Sequence, residues 1–228
     1  VQMLIKDLLA DLQYLYDTLQ KKGDEFDHVI KMGRTHLQDA VPIRLGQEFK
    51  AFSQPVKRDL KRISSAVEEL TYVNMGATAV GTGINADVEY VKNVVRILSE
   101  VTGFNFKQSP DLVDGTRNLD SFVWLSSALK TCAVNLSKTA NDIRLMASGP
   151  KAGLAELGLP QQQPGSSIMP GKVNPVIPEV LNQVCFQIFG NDITITKAAE
   201  AGQLELNVFE PVLFFNLFQS CLLYTSDA

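Results

Sequence analysis

The chain has 228 residues, 45% of them apolar and 20% charged, which is enough apolar material for the core of a globular domain. Its formal net charge of -4 excludes a general electrostatic affinity for nucleic acid or anionic membranes, so an anionic ligand needs a local positive site. The two histidines argue against a histidine-rich metal site. Cys132, Cys185 and Cys221 follow no disulfide or metal spacing, and we expect reduced thiols, the first two buried, in a cytoplasmic protein.

Apolar residues recur every three or four positions along most of the chain, which predicts long helices. Asp87 is the expected N-cap of one of them, and Pro178 is expected in the first turn of another. The predicted helices cover residues 3–21, 44–75, 87–101 and 117–147 and a stretch from Pro178 onward.

The segments between these helices are rich in Gly, Pro and Ser, and we predict that they are loops. Helices of about thirty residues far exceed the globular mean of about 11–12, and their apolar stripes must be buried against one another. We therefore predict an all-α fold, a long-helix bundle with functional connections. The predicted loops are residues 23–44, 76–86, 103–116 and 148–177.

Both ends of the sequence suggest a fragment. The chain opens inside a helical pattern without a cap, and it closes on YTSDA, which we expect to break the last helix without burying anything. The apolar run from Val212 to Tyr224 is interrupted by polar residues and is too short for a membrane span. We expect residues 1–223 to form a helical domain truncated at both ends, followed by a tail, 224–228, that need not be native.

The stretch GSSIMPGKVNP, residues 165–175, has the composition of a phosphate-binding loop but not its spacing. Five residues separate Gly165 from Gly171, where the P-loop requires four, and Lys172 is followed by Val173 instead of Ser or Thr. Pro170 also removes a backbone N–H from a loop that would need it. The other glycine-rich stretch, GATAVGTG at 76–83, lacks the GxGxxG spacing of a dinucleotide-binding turn.

Polar residues that a core does not need are concentrated in three segments: GRTHLQDAVP at 33–42, GSSIMPGKVNPVIPE at 165–179 and EAGQLELNVFEP at 200–211. Taken singly, each of these residues has an ordinary structural interpretation. His36 could be a loop histidine, Lys172 a surface lysine, and Ser166 and Ser167 turn residues bonded to their own backbone. A serine nucleophile paired with histidine or lysine would require a proximity that the sequence does not establish.

In combination, these segments resemble the aspartase/fumarase superfamily. GSSIMPGKVNP matches the signature loop GSSxMPxKxN at every fixed position, and GRTHLQDAVP, GATAVGTGIN and ANDIRLMASGP match further blocks in the same order. The resemblance covers roughly residues 1–223. VNPVIPE, GQLELNVFEP, AVPIRLGQEF and VNMGATAVGTG favour the ammonia-lyase branch over class II fumarase, which shares GRTHLQDA and the serine loop; His36 does not decide between them.

Two other interpretations stay open beside the ammonia-lyase: a class II fumarase and a non-enzymatic helical assembly protein of the same superfamily. Argininosuccinate and adenylosuccinate lyases fit the GRTHLQDA and ELNVFEP blocks less well.

The resemblance implies a reaction that converts L-aspartate to fumarate and ammonia with no metal and no organic cofactor. A base removes a proton from the carbon beside a carboxylate, the carbanion is stabilised as an aci-carboxylate, and the amine departs. By resemblance Ser166 is the base and Ser167 donates a hydrogen bond to the reacting β-carboxylate. Lys172 and Asn174 would hold the α-carboxylate.

The resemblance also gives supporting roles. Thr35 and His36 would line the region of the α-amino group and carboxylate, and Glu179 falls where fumarases have the carboxylate that pairs with the histidine. Gly165 and Gly171 would allow the loop to close over the substrate.

Members of the superfamily assemble as homotetramers in which each active site draws segments from three subunits. A further substrate-binding block and a C-terminal domain of the family have no counterpart in this sequence. We therefore expect these 228 residues to be inactive alone.

Overall fold

The computed structural model describes residues 1–165, 168–169 and 171–225. Long helices dominate these residues, as the apolar periodicity predicts, and short helices and strands connect them. In chain order the elements are α1 (Gln2–Glu25), β1 (Ile30–Thr35), β2 (Gln38–Arg44), α2 (Leu45–Glu69), β3 (Tyr72–Val73), α3 (Val88–Thr102), β4 (Lys107–Gln108), α4 (Leu112–Arg117), α5 (Asp120–Met146), α6 (Val176–Glu200) and α7 (Glu210–Thr225).

Helices α1 and α2 form an antiparallel pair through their apolar stripes. The Gln20 side chain donates a hydrogen bond to Ser53 Oγ at 2.5 Å, and Gln2 near the other end of α1 donates to the Leu70 carbonyl at 3.1 Å. Partners that run in opposite order along two helices define an antiparallel arrangement. The residues buried on these two faces include Ile5, Leu8, Leu12, Leu19, Leu45, Phe49, Val56 and Ile63.

Helix α5 occupies the centre of the bundle, packed against α2 and α6. Its Leu125, Leu129 and Cys132 have no exposed surface. Because α5 is 27 residues long, it carries contacts from one end of the bundle to the other. Helix α7 packs on α6 and completes the core with Leu213 and Leu217.

Buried polar side chains fix the register of the long helices. Asp59 of α2 is fully buried and accepts hydrogen bonds from Arg62 Nη1 at 2.5 Å and from Asn135 of α5 at 2.8 Å. Asp192 of α6 accepts a hydrogen bond from Ser126 Oγ of α5 at 2.7 Å. A helix that slipped along its neighbour would leave these groups buried without partners, which is costly.

Two of the predicted loops contain secondary structure. Residues 23–44 include the antiparallel β1–β2 hairpin, so the prediction of a loop there is wrong. In β1 exposed and half-buried positions alternate, but the apolar Ile30 and Met32 are on the exposed side. β2 is exposed at every position but one, because the hairpin stands away from the core. The period-two signal of a half-buried strand is therefore weak in the sequence. The 103–116 segment likewise contains β4 and most of α4.

Helix α2 ends at Glu69, whereas the sequence predicts that it continues to residue 75. Tyr72 and Val73 leave the helix and pair in parallel with Lys107 and Gln108. Aromatic and β-branched residues favour such extended pairing, and here it overrides the helical spacing of apolar residues. The Asp87 N-cap is confirmed, since its carboxylate accepts hydrogen bonds from the backbone N–H groups of Glu89 and Tyr90.

The last helix extends further than predicted. Helix α7 continues to Thr225, and the Tyr224 hydroxyl donates a hydrogen bond to the Leu129 carbonyl at 2.7 Å. Tyr224 therefore packs on α5 instead of breaking the helix. Among the described helices, none is long and apolar enough to cross a membrane.

All three cysteines are buried free thiols, which confirms the prediction for Cys132 and Cys185 and extends it to Cys221. Burial raises the pKa of Cys185 and of Cys221 to about 11, and it also raises the pKa of Cys132. Buried thiols with raised pKa values stay protonated at neutral pH and behave as small apolar side chains.

A matched pair of valines tests the assignment of the core. Val56 of α2 is 2% exposed and Val101 of α3 is 80% exposed. We expect Val56→Ala to lower the free energy of unfolding by about 2 kcal/mol, because it removes two buried methyl groups and leaves a cavity. Val101→Ala should change it by no more than about 0.5 kcal/mol. Urea denaturation of both variants measures the difference, and equal effects would contradict the assignment.

Candidate active site

The tip of the β1–β2 hairpin carries Thr35 and His36. Thr35 pairs with Gln38 across the strands, so His36 and Leu37 form a two-residue turn. Both have left-handed backbone conformations, with φ of 54° and 63°, the pattern of a type I′ turn. Non-glycine residues seldom adopt this region, and such strain clusters at functional sites. The strained and exposed turn presents the two predicted substrate-binding residues at the surface.

Four charged side chains form a cluster below this turn, which we call the Glu156 ion cluster: Lys31, Arg34, Glu48 and Glu156. Glu156 lies 2.6 Å from Lys31 Nζ through one oxygen and 2.6 Å from Arg34 Nη1 through the other. Lys31 Nζ also lies 2.8 Å from Glu48 of α2. Two carboxylates and two cations thus join the hairpin to α2 and to the connection between α5 and α6.

The electrostatics of this cluster favour ionised Glu156. Burial alone would raise the pKa of the Glu156 carboxyl, but the ion pair with Lys31 and the hydrogen bond from Arg34 outweigh burial and hold the pKa below its ordinary value. The hydrogen bond with Glu156 also raises the pKa of the Arg34 guanidinium. Both members of the pair are therefore charged at neutral pH.

The ends of the GSSIMPGKVNP loop lie against each other. A Cβ atom on Gly165 would lie 2.7 Å from the Lys172 carbonyl oxygen, closer than real Cβ atoms approach, so only glycine fits. The Lys172 N–H donates to the Met169 carbonyl at 3.1 Å, and Gly171 between them has φ of 80°. The exposed Lys172 side chain thus stands at the closed base of the loop. Ser166 and Ser167 lie outside the described residues.

The loop leads directly into α6. The Asn174 carbonyl accepts a hydrogen bond from the Val176 N–H at 2.9 Å, and Glu179 lies half-buried in the first turn of the helix. A carboxylate in the first turn interacts favourably with the positive end of the helix dipole. Pro178 also lies in this turn, as the sequence predicts.

A polar network holds the start of α6 against the end of α5. Arg144 Nη1 donates to the Asn182 side-chain oxygen at 3.0 Å, and the Asn182 amide donates to Ser137 Oγ at 2.9 Å. The Nε of Arg144 is buried and has no hydrogen-bond partner among the described residues. Through Arg144, the motif ANDIRLMASGP thus fixes the position at which the serine loop meets the bundle.

The predicted site residues therefore form two groups at one end of the bundle. Glu156 donates its backbone N–H to the Met146 carbonyl at 2.8 Å, which places the hairpin group at the C-terminal end of α5. Arg144 holds the α6 group at the same end. Among the described residues, however, no hydrogen bond or ion pair joins Thr35 or His36 to Lys172, Asn174 or Glu179. The hypothesis that His36 pairs with Glu179 is therefore not supported by a contact among the described residues of one chain.

Two other segments noted in the sequence have structural roles. In the stretch 76–83, a Cβ atom on Gly81 would lie 2.3 Å from Val113 Cα, so this glycine permits close packing on α4. In the third polar segment, the buried Asn207 amide donates to the carbonyls of Ala198 and Ala199 at 3.0 and 3.1 Å and so caps the end of α6.

A cleft of about 1030 Å³ lies at the opposite end of the bundle. Its lining includes the carboxylates of Glu69, Asp114, Asp120 and Glu200. These acidic groups would repel a dicarboxylate, so this cleft suits the predicted substrate less well than the loop end.

Sequence reasoning missed the Glu156 ion cluster and the Arg144–Asn182 contact. Lys31 lies two residues before GRTHLQDA and Arg34 lies within it, while Glu156 lies between two recognised blocks. Charge pairs over a hundred residues apart leave no periodic signal in one sequence. The available indications were that Arg34 and Arg144 each lie within a recognised block, GRTHLQDAVP and ANDIRLMASGP.

The lowered pKa of Glu156 predicts a pH-dependent contribution to stability. Because its folded pKa lies below the ordinary 4.5, the carboxylate stabilises the fold above about pH 4.5, and this contribution is lost as pH falls through the folded value. We expect Glu156→Gln to lower stability at pH 7 and the deficit to narrow below about pH 4.5. Denaturant midpoints between pH 3 and pH 7 measure this, and a deficit independent of pH would refute it.

Comparison with known proteins shows the family and the fold of this chain. A family model described as Lyase matches residues 1–190. The aspartate ammonia-lyase of Bacillus subtilis is 60% identical over 95% of this chain and 46% of its own length. A crystal structure of a fumarate lyase:delta crystallin from Brucella melitensis, bound to cobalt, superposes with a TM-score of 0.95 at 48% identity, over 98% of this chain and 49% of that one.

A class II fumarase from Schistosoma mansoni has the same fold, with a TM-score of 0.93 at 38% identity, over 96% of this chain and 49% of its own. The chain spans about half the length of the curated relatives it matches. With residues 1–190 matched by the family model and the fold shared along nearly its whole length, the chain belongs to the lyase family of aspartases and fumarases.

Proposed function

We propose that this chain forms part of an aspartate ammonia-lyase, which converts L-aspartate to fumarate and ammonia. The observation that carries the proposal is the 60% identity to the Bacillus subtilis enzyme of that name, against 38% to the class II fumarase structure. The activity is proposed for the complete protein, because the chain spans about half the length of these relatives. No metal or organic cofactor is invoked, and the buried free thiols suit a cytoplasmic protein.

In the proposed mechanism, the alkoxide of Ser166 takes a proton from the substrate carbon beside the β-carboxylate and becomes the neutral hydroxyl. The electron pair of the broken C–H bond moves into that carboxylate, which gains negative charge as an aci-carboxylate. The pair then returns to form the double bond of fumarate as the C–N bond breaks and ammonia leaves. Donors that bind the charged intermediate more tightly than the substrate lower the barrier, and Ser167 is assigned this role.

The proposed α-carboxylate site is formed by Lys172 and Asn174. Lys172 is exposed at the closed base of the loop, and in a chain with a net charge of -4 it supplies the local positive charge that a dicarboxylate requires. Thr35 and His36 on the hairpin are assigned to the α-amino end. Gly165 and Gly171 allow the backbone geometry of the loop, and Glu179 is assigned to support the histidine.

We also propose a homotetramer whose active sites combine segments of several subunits. The hairpin group and the loop group make no direct polar contact among the described residues of one chain, so a complete site would join groups from different chains. The bundle also exposes large apolar side chains on α5, α6 and α7, including Trp124, Phe186, Ile193 and Phe215. Faces of this kind are typical of subunit interfaces.

A class II fumarase is the second candidate, favoured by the shared GRTHLQDA segment and by the common fold. A non-enzymatic assembly role would leave the serine loop, Lys172 and the strained turn without a purpose.

Substrate choice decides between the two enzymes. We expect the full-length protein that carries this chain to release fumarate from L-aspartate and not from L-malate, measured by ultraviolet absorbance with equal enzyme in both assays. Fumarate from malate alone would replace the ammonia-lyase by a fumarase. No fumarate from either substrate would leave the assembly protein as the better account.

A further inference from the structure

One side chain links the two polar segments of the candidate site. Glu156 belongs to the connection that leads from α5 to the GSSIMPGKVNP loop, whereas Lys31 and Arg34 belong to β1. Arg34 Nη1 lies 2.6 Å from one Glu156 oxygen and Lys31 Nζ lies 2.6 Å from the other. Arg34 immediately precedes Thr35, so the contact reaches the residue next to the substrate-binding turn.

Glu156 is itself held firmly by the bundle. Its backbone N–H and that of Leu157 both donate to the Met146 carbonyl, at 2.8 and 3.2 Å, at the end of α5. The four charged side chains of the Glu156 ion cluster are only 10–24% exposed. Charge-assisted hydrogen bonds in such a partly buried setting are stronger and better oriented than surface ion pairs. The carboxylate therefore acts as a fixed anchor for the hairpin.

Outside the Glu156 ion cluster, the hydrogen bonds and ion pairs of the described residues that attach the hairpin lie at its base. β2 is exposed at all but one position, and its backbone joins the bundle at its base, where the Leu45 N–H donates to the Val29 carbonyl at 2.9 Å. The left-handed turn at His36 and Leu37 requires support from surrounding structure to persist. The contacts of Lys31 and Arg34 with Glu156 supply that support.

We propose that Glu156 is a positioning residue, which through Arg34 and Lys31 sets the place of the Thr35–His36 turn on the bundle and so the geometry with which the turn meets the substrate. This inference rests on the proposed role of the turn in substrate binding. Glu156 need not touch the substrate itself.

The matched control is Glu100, whose Oε1 lies 2.6 Å from Arg96 Nη1 on an exposed face of α3, with both side chains 60% exposed. We compare Glu156→Gln with Glu100→Gln in the full-length protein, using steady-state kinetics with L-aspartate. We expect Glu156→Gln to raise KM on the order of tenfold with a smaller change in kcat, because a displaced turn weakens substrate binding. Glu100→Gln should match the wild type.

An unchanged KM would overturn the proposal if kcat falls only in proportion to the folded fraction measured by circular dichroism. Glu156 would then have a purely structural role.

A second readout does not depend on the identity of the substrate. Hydrogen exchange of backbone amides in residues 34–39 should be faster in Glu156→Gln than in the wild type and unchanged in Glu100→Gln. If the wild-type protein releases no fumarate from L-aspartate, the proposed function fails, while the exchange measurement still tests the anchor. Unchanged exchange at 34–39 in Glu156→Gln would overturn the proposal whatever the substrate is.

Discussion

The burial of α5 between α2 and α6 is the constraint on which the rest of the structure depends. Its central residues Leu125, Leu129 and Cys132 have no exposed surface, so this face of α5 is shielded from solvent and fixed to both neighbours. Buried polar contacts at Asp59 and Asp192 then set where each neighbour lies along it. The apolar faces supply most of the stabilisation, while the polar contacts select one register among many of similar apolar burial.

This register brings the functional segments to one end of the bundle. At the C-terminal end of α5, the Met146 carbonyl accepts a hydrogen bond from the Glu156 backbone N–H, and Arg144 donates a hydrogen bond to Asn182 of α6. The strained turn of the hairpin and the closed base of the serine loop are therefore attached to the same few residues of one helix. A rigid helix end is a better support for a binding site than a free loop, because catalysis requires reacting groups to be held in place. The opposite end, with its acidic cleft, lacks both the loop and the turn.

The sequence predicted those parts of the fold that repeat. Stripes of apolar residues at helical spacing located α1, α5 and α6 within a few residues, and the aspartate at 87 marked the start of α3 because capping chemistry is local. The hairpin escaped prediction because β2 is largely exposed and the apolar Ile30 and Met32 of β1 are on its exposed side. The end of α2 at Glu69 also escaped prediction, because Tyr72 and Val73 pair with strand residues more than thirty positions away. For the site, the motifs indicated Thr35, His36, Lys172 and Asn174. A single sequence does not show which charged residues are in contact in the folded chain. The role proposed for Glu156 therefore required the structure.

The proposed mechanism depends most on the GSSIMPGKVNP loop supplying the base that starts the reaction. The most direct measurement is the turnover of L-aspartate by Ser166→Ala in the full-length protein, with the binding of fumarate measured in parallel. We expect a loss of turnover of about a thousandfold or more with fumarate still bound, because the proton acceptor is gone while the carboxylate-binding groups remain. Turnover close to that of the wild type would contradict the account and move the base to another residue.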